Sequence, residues 1–171
     1  MTDRVKGIPD GVSLLIPRLF CRDVVAASEF CKSTFGAVEI VRRPGADGTV
    51  VHAMLMIGSA MVMVEAESPG MTTRAPQLDG SSPVVIYLYV EDVDKTIERA
   101  VANGAKVLSP VANQFWGDRI GWLMDASGHV WTIATRIEET TEDERQKRLS
   151  DLQTASAAAA RSLDESRYQK G

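Results

Sequence analysis

The feature that most constrains the fold of this chain is an internal repeat. Asp23 and Asp92 are separated by 92 − 23 = 69 positions, and each follows an apolar segment and precedes a helical pattern. Further identical pairs have the same spacing, namely Val24 with Val93, Glu29 with Glu98 and Gly48 with Gly117. A spacing shared over a whole unit is typical of structural duplication. We therefore expect a chain built from two copies of one unit.

Hydrophobic patterning predicts one strand, one helix and three strands in the first copy. A β-prone segment covers residues 14–21, and Asp23 is placed to cap a helix over residues 24–35 that Gly36 ends. Three strands are predicted after the helix, over residues 37–43, 49–57 and 60–66, and the turns PGADG and GS separate them.

The second copy has the same predicted order of elements. Its strand covers residues 83–90, and its helix covers residues 92–103 and ends at Gly104. Its last three strands are predicted over residues 105–112, 118–124 and 130–135. The predicted organisation is therefore a single α+β domain over residues 12–139, with two βαβββ modules, 12–66 and 83–139, and a Pro-, Gly- and Ser-rich linker, 67–82.

A C-terminal tail, residues 140–171, has a different pattern. Thr141 and Glu144 form a capping box, and Leu149, Leu152 and Leu163 share a narrow apolar stripe. The tail is therefore predicted to be one helix. It either packs on its own domain and frays at its end, or stabilises a dimer.

Composition excludes several classes of protein. The chain has 19 basic and 23 acidic residues, a net charge of −4, which argues against a nucleic-acid partner. No apolar run approaches the ~20 residues of a membrane span, so no membrane partner is expected. The start, MTDRVKGIPDG, has no apolar segment behind its charges, so no secretory signal is expected either. The two cysteines, Cys21 and Cys31, cannot make a disulfide framework, which favours a reduced, cytoplasmic protein.

Two segments extend this pattern to a known family. The phrase IPRLFCRDVVAASEFCKSTFGA opens the first module, and WGDRIGWLMDASGHVWTIATRIEE closes the second. Together with the doubled βαβββ unit, they resemble the PhnB-like branch of the vicinal-oxygen-chelate superfamily. This superfamily includes glyoxalase I, dioxygenases, and fosfomycin and bleomycin resistance proteins. The resemblance implies a glyoxalase/bleomycin-resistance-type half-barrel around a cavity faced by the first and fourth strands of each module. It also implies a homodimer.

The resemblance further implies one metal ligand on each of those four strands. The matching positions hold side chains that are not imidazole, carboxylate or thiolate: Ile16, Met63, Val85 and Thr132. We therefore expect no metal and no cofactor. A site built from His52, His129 and Glu65 stays open as an alternative, although the two histidines do not correspond under the repeat.

Strand alternation predicts the cavity lining. It is apolar and aromatic with one cation, and its candidate ligand-binding residues are Ile16, Arg18, Phe20, Met61, Met63, Val85, Tyr87, Tyr89 and Thr132. Leu15, Leu19 and Cys21 should lie on the opposite face, under the helix. Trp116 and Arg119 of the WGDR phrase are added as contacts at the cavity mouth. The alternatives are that these side chains are plain core, and that an Asp118–Arg119 network fixes the loop.

Three functions fit this sequence. The first is a metal-independent protein that sequesters a small hydrophobic or aromatic molecule, with no catalytic residue assigned. The second is an enzyme, either a metal-dependent lyase, isomerase or dioxygenase, or a metal-free one that uses Tyr87, Tyr89 or Glu65 as acid or base. The third is a non-catalytic interaction protein that acts through its C-terminal helix.

Overall fold

A computed structural model describes residues 6–79 and 81–168. Each module contributes one four-stranded sheet and one helix, and a third helix follows, which confirms the predicted α+β class. In chain order the elements are β1 (Arg18–Cys21), α1 (Val24–Phe35), β2 (Val38–Pro44), β3 (Val50–Ile57), β4 (Ala60–Ala66), β5 (Val85–Tyr89), α2 (Val93–Ala102), β6 (Lys106–Asn113), β7 (Asp118–Met124), β8 (Val130–Arg136) and α3 (Glu142–Tyr168).

The two sheets have the same topology. Their strand orders are β1-β4-β3-β2 and β5-β8-β7-β6. The first and fourth strands of each module pair in parallel, and the other neighbours are antiparallel. Arg18 lies opposite Met63 in one sheet, and Tyr87 lies opposite Thr132 in the other. The repeat in the sequence is therefore a repeat in the structure.

The ends of both module helices follow the predicted chemistry. The Asp23 carboxylate accepts a hydrogen bond from the Ala26 amide at 3.0 Å, and Asp92 accepts one from the Lys95 amide at the same distance. Gly36 ends α1 with a φ of 69°, a left-handed conformation that favours glycine. Helix α2 ends at Ala102, one residue earlier than predicted, and its C-cap is Asn103 and not Gly104.

The core lies between each sheet and its helix and continues from one module into the other. The Phe35 ring of α1 lies 4.8 Å from the Trp131 ring of β8, measured between centroids. The Thr34 carbonyl accepts a hydrogen bond from Arg99 of α2 at 3.3 Å. The modules are therefore packed through their helix sides.

Both cysteines lie in this core. Burial, with a smaller contribution from Asp125, raises the pKa of the Cys21 and Cys31 thiols to about 12. Because the thiolate is the reactive form, these side chains act as small apolar residues at neutral pH.

Strand β1 is shorter than predicted, since it begins at Arg18 and not at residue 14. Pro17 precedes it and has no amide hydrogen to donate to a ladder, although its carbonyl accepts from the Met63 amide at 2.9 Å. The expectation that Leu15 packs under the helix is therefore wrong, and its side chain is 84% exposed. Leu19 and Cys21 lie in the core as predicted.

The tail forms the predicted capping box and helix. The Glu144 carboxylate accepts from the Thr141 amide at 2.7 Å, and the Glu144 amide donates to the Thr141 hydroxyl at 3.3 Å. Arg148 donates to the Phe115 carbonyl at 3.3 Å, whereas residues 151–158 are exposed. Within residues 6–79 and 81–168, no helix has the length and apolar character to cross a membrane.

Candidate functional site

Each sheet has one face under its helix and an opposite face, which we call the open face. The open face of the first sheet carries methionines, one aromatic ring and three charged or titratable groups: Arg18, Phe20, His52, Met54, Met56, Met61, Met63 and Glu65. The open face of the second sheet is more aromatic and carries Val85, Tyr87, Tyr89, Asp118, Ile120, Trp122, Met124, Val130, Thr132 and Ala134.

A cleft of about 660 Å³ lies between β1 and β5, where the two modules meet. Arg18, Phe20, Val85 and Tyr87, all predicted as ligand contacts, line it together with linker residues and His129. Small-molecule sites commonly have a volume of about 300–1,000 Å³. The structure therefore brings four of the predicted residues together in a cleft that can hold a small organic ligand.

The other predicted residues lie around this cleft at different depths. Tyr89 is on the same open face and is 53% exposed. Thr132 is 3% exposed because Tyr87 and Trp122 flank it in the neighbouring strands. Met61 is buried, Met63 is half-buried, and Ile16 is half-buried just before β1. A ligand on the second sheet would therefore meet the aromatic rings before Thr132.

Asp118 joins the aromatic residues of this face. It is 1% exposed, and its Oδ2 accepts hydrogen bonds from the Tyr87 hydroxyl at 3.2 Å, the Tyr89 hydroxyl at 2.8 Å and the Trp116 indole N–H at 2.9 Å. Its Oδ1 accepts from Arg136 Nε at 2.5 Å. One carboxylate therefore fixes the orientation of three aromatic side chains.

The same network determines the protonation of its members. Burial raises the pKa of Asp118, but its hydrogen bonds from Tyr89, Arg136, Trp116 and Tyr87 outweigh this and hold the pKa below its usual value. Burial and then the charge of Asp118 raise the pKa of Tyr87 well above that of an ordinary phenol. Tyr87 is therefore a neutral hydrogen-bond donor at neutral pH.

Arg119 lies on the other side of the second sheet. Its guanidinium donates to both carboxylate oxygens of Asp94 on α2 at 2.8 Å, and to the Asn113 side chain at 2.8 Å. Adjacent residues of a strand point to opposite faces, so Arg119 cannot share the face of Asp118. The alternative of an Asp118–Arg119 network is therefore wrong: Asp118 pairs with Arg136. Trp116 does lie on the Asp118 side, as a donor to its carboxylate.

Several residues of the open faces were not predicted from the sequence. Trp122 is 41% exposed and lies opposite Thr132. Met54 and Met56 lie opposite Met63 and Met61. The alternation that was applied to the first and fourth strands would have found all three, had it been extended to β3 and β7.

A second groove, of about 780 Å³, lies at the start of α2 and is more polar. Three of the charged groups in its lining already have partners: Lys95 lies 2.9 Å from Asp92, and Arg99 donates to Thr34 and Thr96. Tyr89 is the predicted ligand contact that it shares with the open face. We therefore take the cleft between β1 and β5 as the candidate site.

The residues present do not fit the metal that the resemblance implies. In the part of the chain that the structure describes, His, Cys, Asp and Glu side chains form no group of three or more that could hold a metal ion. His52 Nδ1 lies 3.2 Å from Glu65, and His129 Nδ1 lies 3.4 Å from Asp125. Each histidine is thus paired with its own carboxylate.

Comparison with known proteins identifies the family. The family model of the Glyoxalase/Bleomycin resistance protein/Dioxygenase superfamily matches residues 13–133. The chain belongs to this superfamily. An uncharacterized protein of Mycobacterium bovis is 38% identical over 139 residues, 80% of this chain and 91% of that protein.

Solved structures of other proteins have the same fold. TioX from Micromonospora sp. ML1 is 28% identical, with a TM-score of 0.58 over 73% of this chain and 99% of that chain. The fosfomycin resistance protein FosX from Listeria monocytogenes is 18% identical, with a TM-score of 0.56 over 78% of this chain and 97% of that chain. At that identity, the likeness to FosX concerns the fold alone.

Proposed function

We propose that this chain is a metal-independent binding protein of the PhnB-like branch, acting in the cytoplasm, that sequesters a small hydrophobic or aromatic molecule. The observation that carries the proposal is the chemistry of the four positions where the superfamily's metal ligands would lie, which hold Ile16, Met63, Val85 and Thr132. An apolar cleft lies beside them. Sequestration requires affinity and no reacting group.

The physical basis of such binding is burial and stacking. Burying apolar area contributes roughly 25 cal/mol per Å², and an aromatic pair adds about 0.5–1.5 kcal/mol. Tyr87 and Tyr89 have ring centroids 5.3 Å apart and are held by Asp118, so little conformational entropy is lost when a ligand stacks on them. The methionines of the first sheet adapt to ligands of different shape.

Calorimetry against a panel of aromatic natural products tests the proposal. We expect at least one compound to bind with a Kd below about 1 mM, and Phe20→Ala, in the lining of the cleft, to weaken its binding about tenfold through lost stacking and area burial. Leu152→Ala, at a 55% exposed position of α3, is the matched control and should leave the affinity unchanged. Equal loss in both variants, or no binding at all, would contradict the proposal.

Metal analysis tests the rival enzyme function. Protein purified without chelators should contain no stoichiometric metal, because the open faces lack a set of ligands for one. Stoichiometric Ni, Zn, Fe or Mn, lost on replacing His52 or Glu65, would favour a metal-dependent lyase or dioxygenase instead.

We also propose that two copies associate through the second open face. Tyr87, Tyr89 and Trp122 are 46%, 53% and 41% exposed there, and an exposed cluster of large apolar side chains on one face is typical of an interaction surface. We expect a dimer mass in sedimentation velocity, and a shift toward monomer in Trp122→Asp. Loss of the dimer in Leu152→Asp alone would assign the contact to α3 instead, and so support the role of the tail as an interaction helix.

A further inference from the structure

The open face of the first sheet holds a histidine with one nitrogen close to a carboxylate and the other left without a partner. His52 Nδ1 lies 3.2 Å from Glu65 Oε1. His52 Nε2 is buried, and no residue among those described gives it a hydrogen-bond partner. Buried polar atoms are nearly always bonded, so an unpaired one calls for a partner from outside the chain.

The alternation of β3 determines where this histidine points. Ala53, Leu55 and Ile57 lie in the core under α1, so His52 and the two methionines that follow it in alternation lie on the open face. In register His52 lies opposite Glu65, with Met63 as its diagonal neighbour. The histidine is therefore beside the position where a metal ligand would lie and where this chain has a thioether.

Glu65 also connects His52 to the candidate cleft. Its Oε1 accepts from Arg18 Nε at 3.2 Å, and Arg18 lines the cleft together with Phe20. Arg18 and Glu65 thus form a polar path from the cleft to the imidazole. Methionine side chains are flexible, so Met63 can move to admit a ligand to Nε2.

The chemistry of the pair fixes the kind of ligand. A carboxylate can only accept a hydrogen bond, so Glu65 Oε1, 3.2 Å from Nδ1, favours the neutral ring with its proton on Nδ1 and a lone pair on Nε2. We propose that His52 Nε2 is the hydrogen-bond acceptor of the binding site, and that it selects aromatic ligands that carry a hydroxyl or N–H donor. This inference rests on the proposed function, because it names the ligand class of the same site.

A pair of probes that differ in one donor tests the inference. We expect the full-length protein to bind 2-naphthol about fivefold more tightly than its methyl ether, the gain typical of one hydrogen bond. His52→Phe should remove this preference and keep the apolar binding, whereas Val101→Phe, a control at a 49% exposed position of α2 outside the cleft, should retain it. Equal binding of both probes to the unchanged protein overturns the inference alone. Binding of neither overturns the proposed function for aromatic ligands and this inference with it.

A measurement without any ligand provides a second test. The chain has two histidines, so the imidazole nitrogens give two sets of signals in ¹⁵N NMR, and His52→Phe assigns them. At about pH 8 we expect a proton on Nδ1 of His52 and none on Nε2. A proton on Nε2 would overturn the inference even if both naphthalene probes bind. Addition of 2-naphthol should shift the Nε2 signal of His52.

Discussion

Asp118→Ala will lower the free energy of unfolding by about 2–4 kcal/mol, because it removes a buried carboxylate that accepts several hydrogen bonds, while its partner Arg136 stays 39% exposed to water. The carboxylate is 1% exposed and accepts from two phenols, one indole and one guanidinium. Alanine leaves all four donors without their acceptor. Urea denaturation at neutral pH measures the loss.

Asp94→Ala is the matched control for this substitution. Asp94 also pairs with an arginine of β7, Arg119, but it is 49% exposed, so water can replace the carboxylate. We expect a much smaller change in stability than for Asp118→Ala. Comparable losses in the two variants would mean that the Asp118 network is no stronger than a surface ion pair.

The pKa of Asp118 predicts how its contribution depends on pH. Because the folded-state pKa lies below the usual value, the carboxylate stabilises the fold above the unfolded-state pKa of about 3.9. This contribution is lost as the pH decreases through the folded-state value. The difference in stability between the unchanged protein and Asp118→Asn should therefore be constant from neutral pH to about pH 5 and decrease below about pH 4.

Asp118→Asn also separates folding from binding. The amide retains an acceptor oxygen but cannot accept from four donors, so the hydroxyls of Tyr87 and Tyr89 lose a common anchor. We expect weaker binding of aromatic ligands at temperatures where the variant is still folded. Unchanged affinity would show that the orientation of these rings does not matter for the site.

Much of the fold follows from the sequence because its signals are local. Asp23 and Asp92 cap their helices because each carboxylate accepts a hydrogen bond from the amide three residues later. Gly36 adopts the left-handed conformation that ends α1. Alternation placed Leu19 in the core and Tyr87 on the open face. The error at β1 also has a local cause, since the missing amide of Pro17 stops the ladder although the hydropathy pattern continues.

The site was less predictable because its contacts join residues distant in the chain. Asp118 and Arg136 lie on different strands, and the sequence offered Arg119 as the nearer partner. Glu65 meets His52 through the register of β3 and β4, which strand alternation within one segment cannot give. The sequence pattern of a strand indicates on which face of the sheet a side chain lies. The partner that this side chain contacts depends on the register between strands.

The second large loss of stability is expected from a substitution where the two modules pack together. Trp131 is fully buried at the base of the second sheet, its ring contacts Phe35 of the first module, and its indole donates to Asp125 at 2.9 Å. Trp131→Ala should cost about 3–5 kcal/mol, as expected for a large aromatic residue removed from a core. Trp122→Ala, the same substitution on the open face of the same sheet, should cost about 1 kcal/mol.

The contact between Phe35 and Trp131 also bears on the candidate site. The cleft lies between β1 and β5, so its shape depends on how the two modules are held together. In a double-mutant cycle, Phe35→Ala and Trp131→Ala should show a coupling energy of about 1 kcal/mol. Phe35→Ala alone should also weaken ligand binding, although Phe35 does not line the cleft. If this variant binds ligand as well as the unchanged protein does while its stability decreases, then one module alone provides the binding site, and the cleft between β1 and β5 is not where the ligand lies.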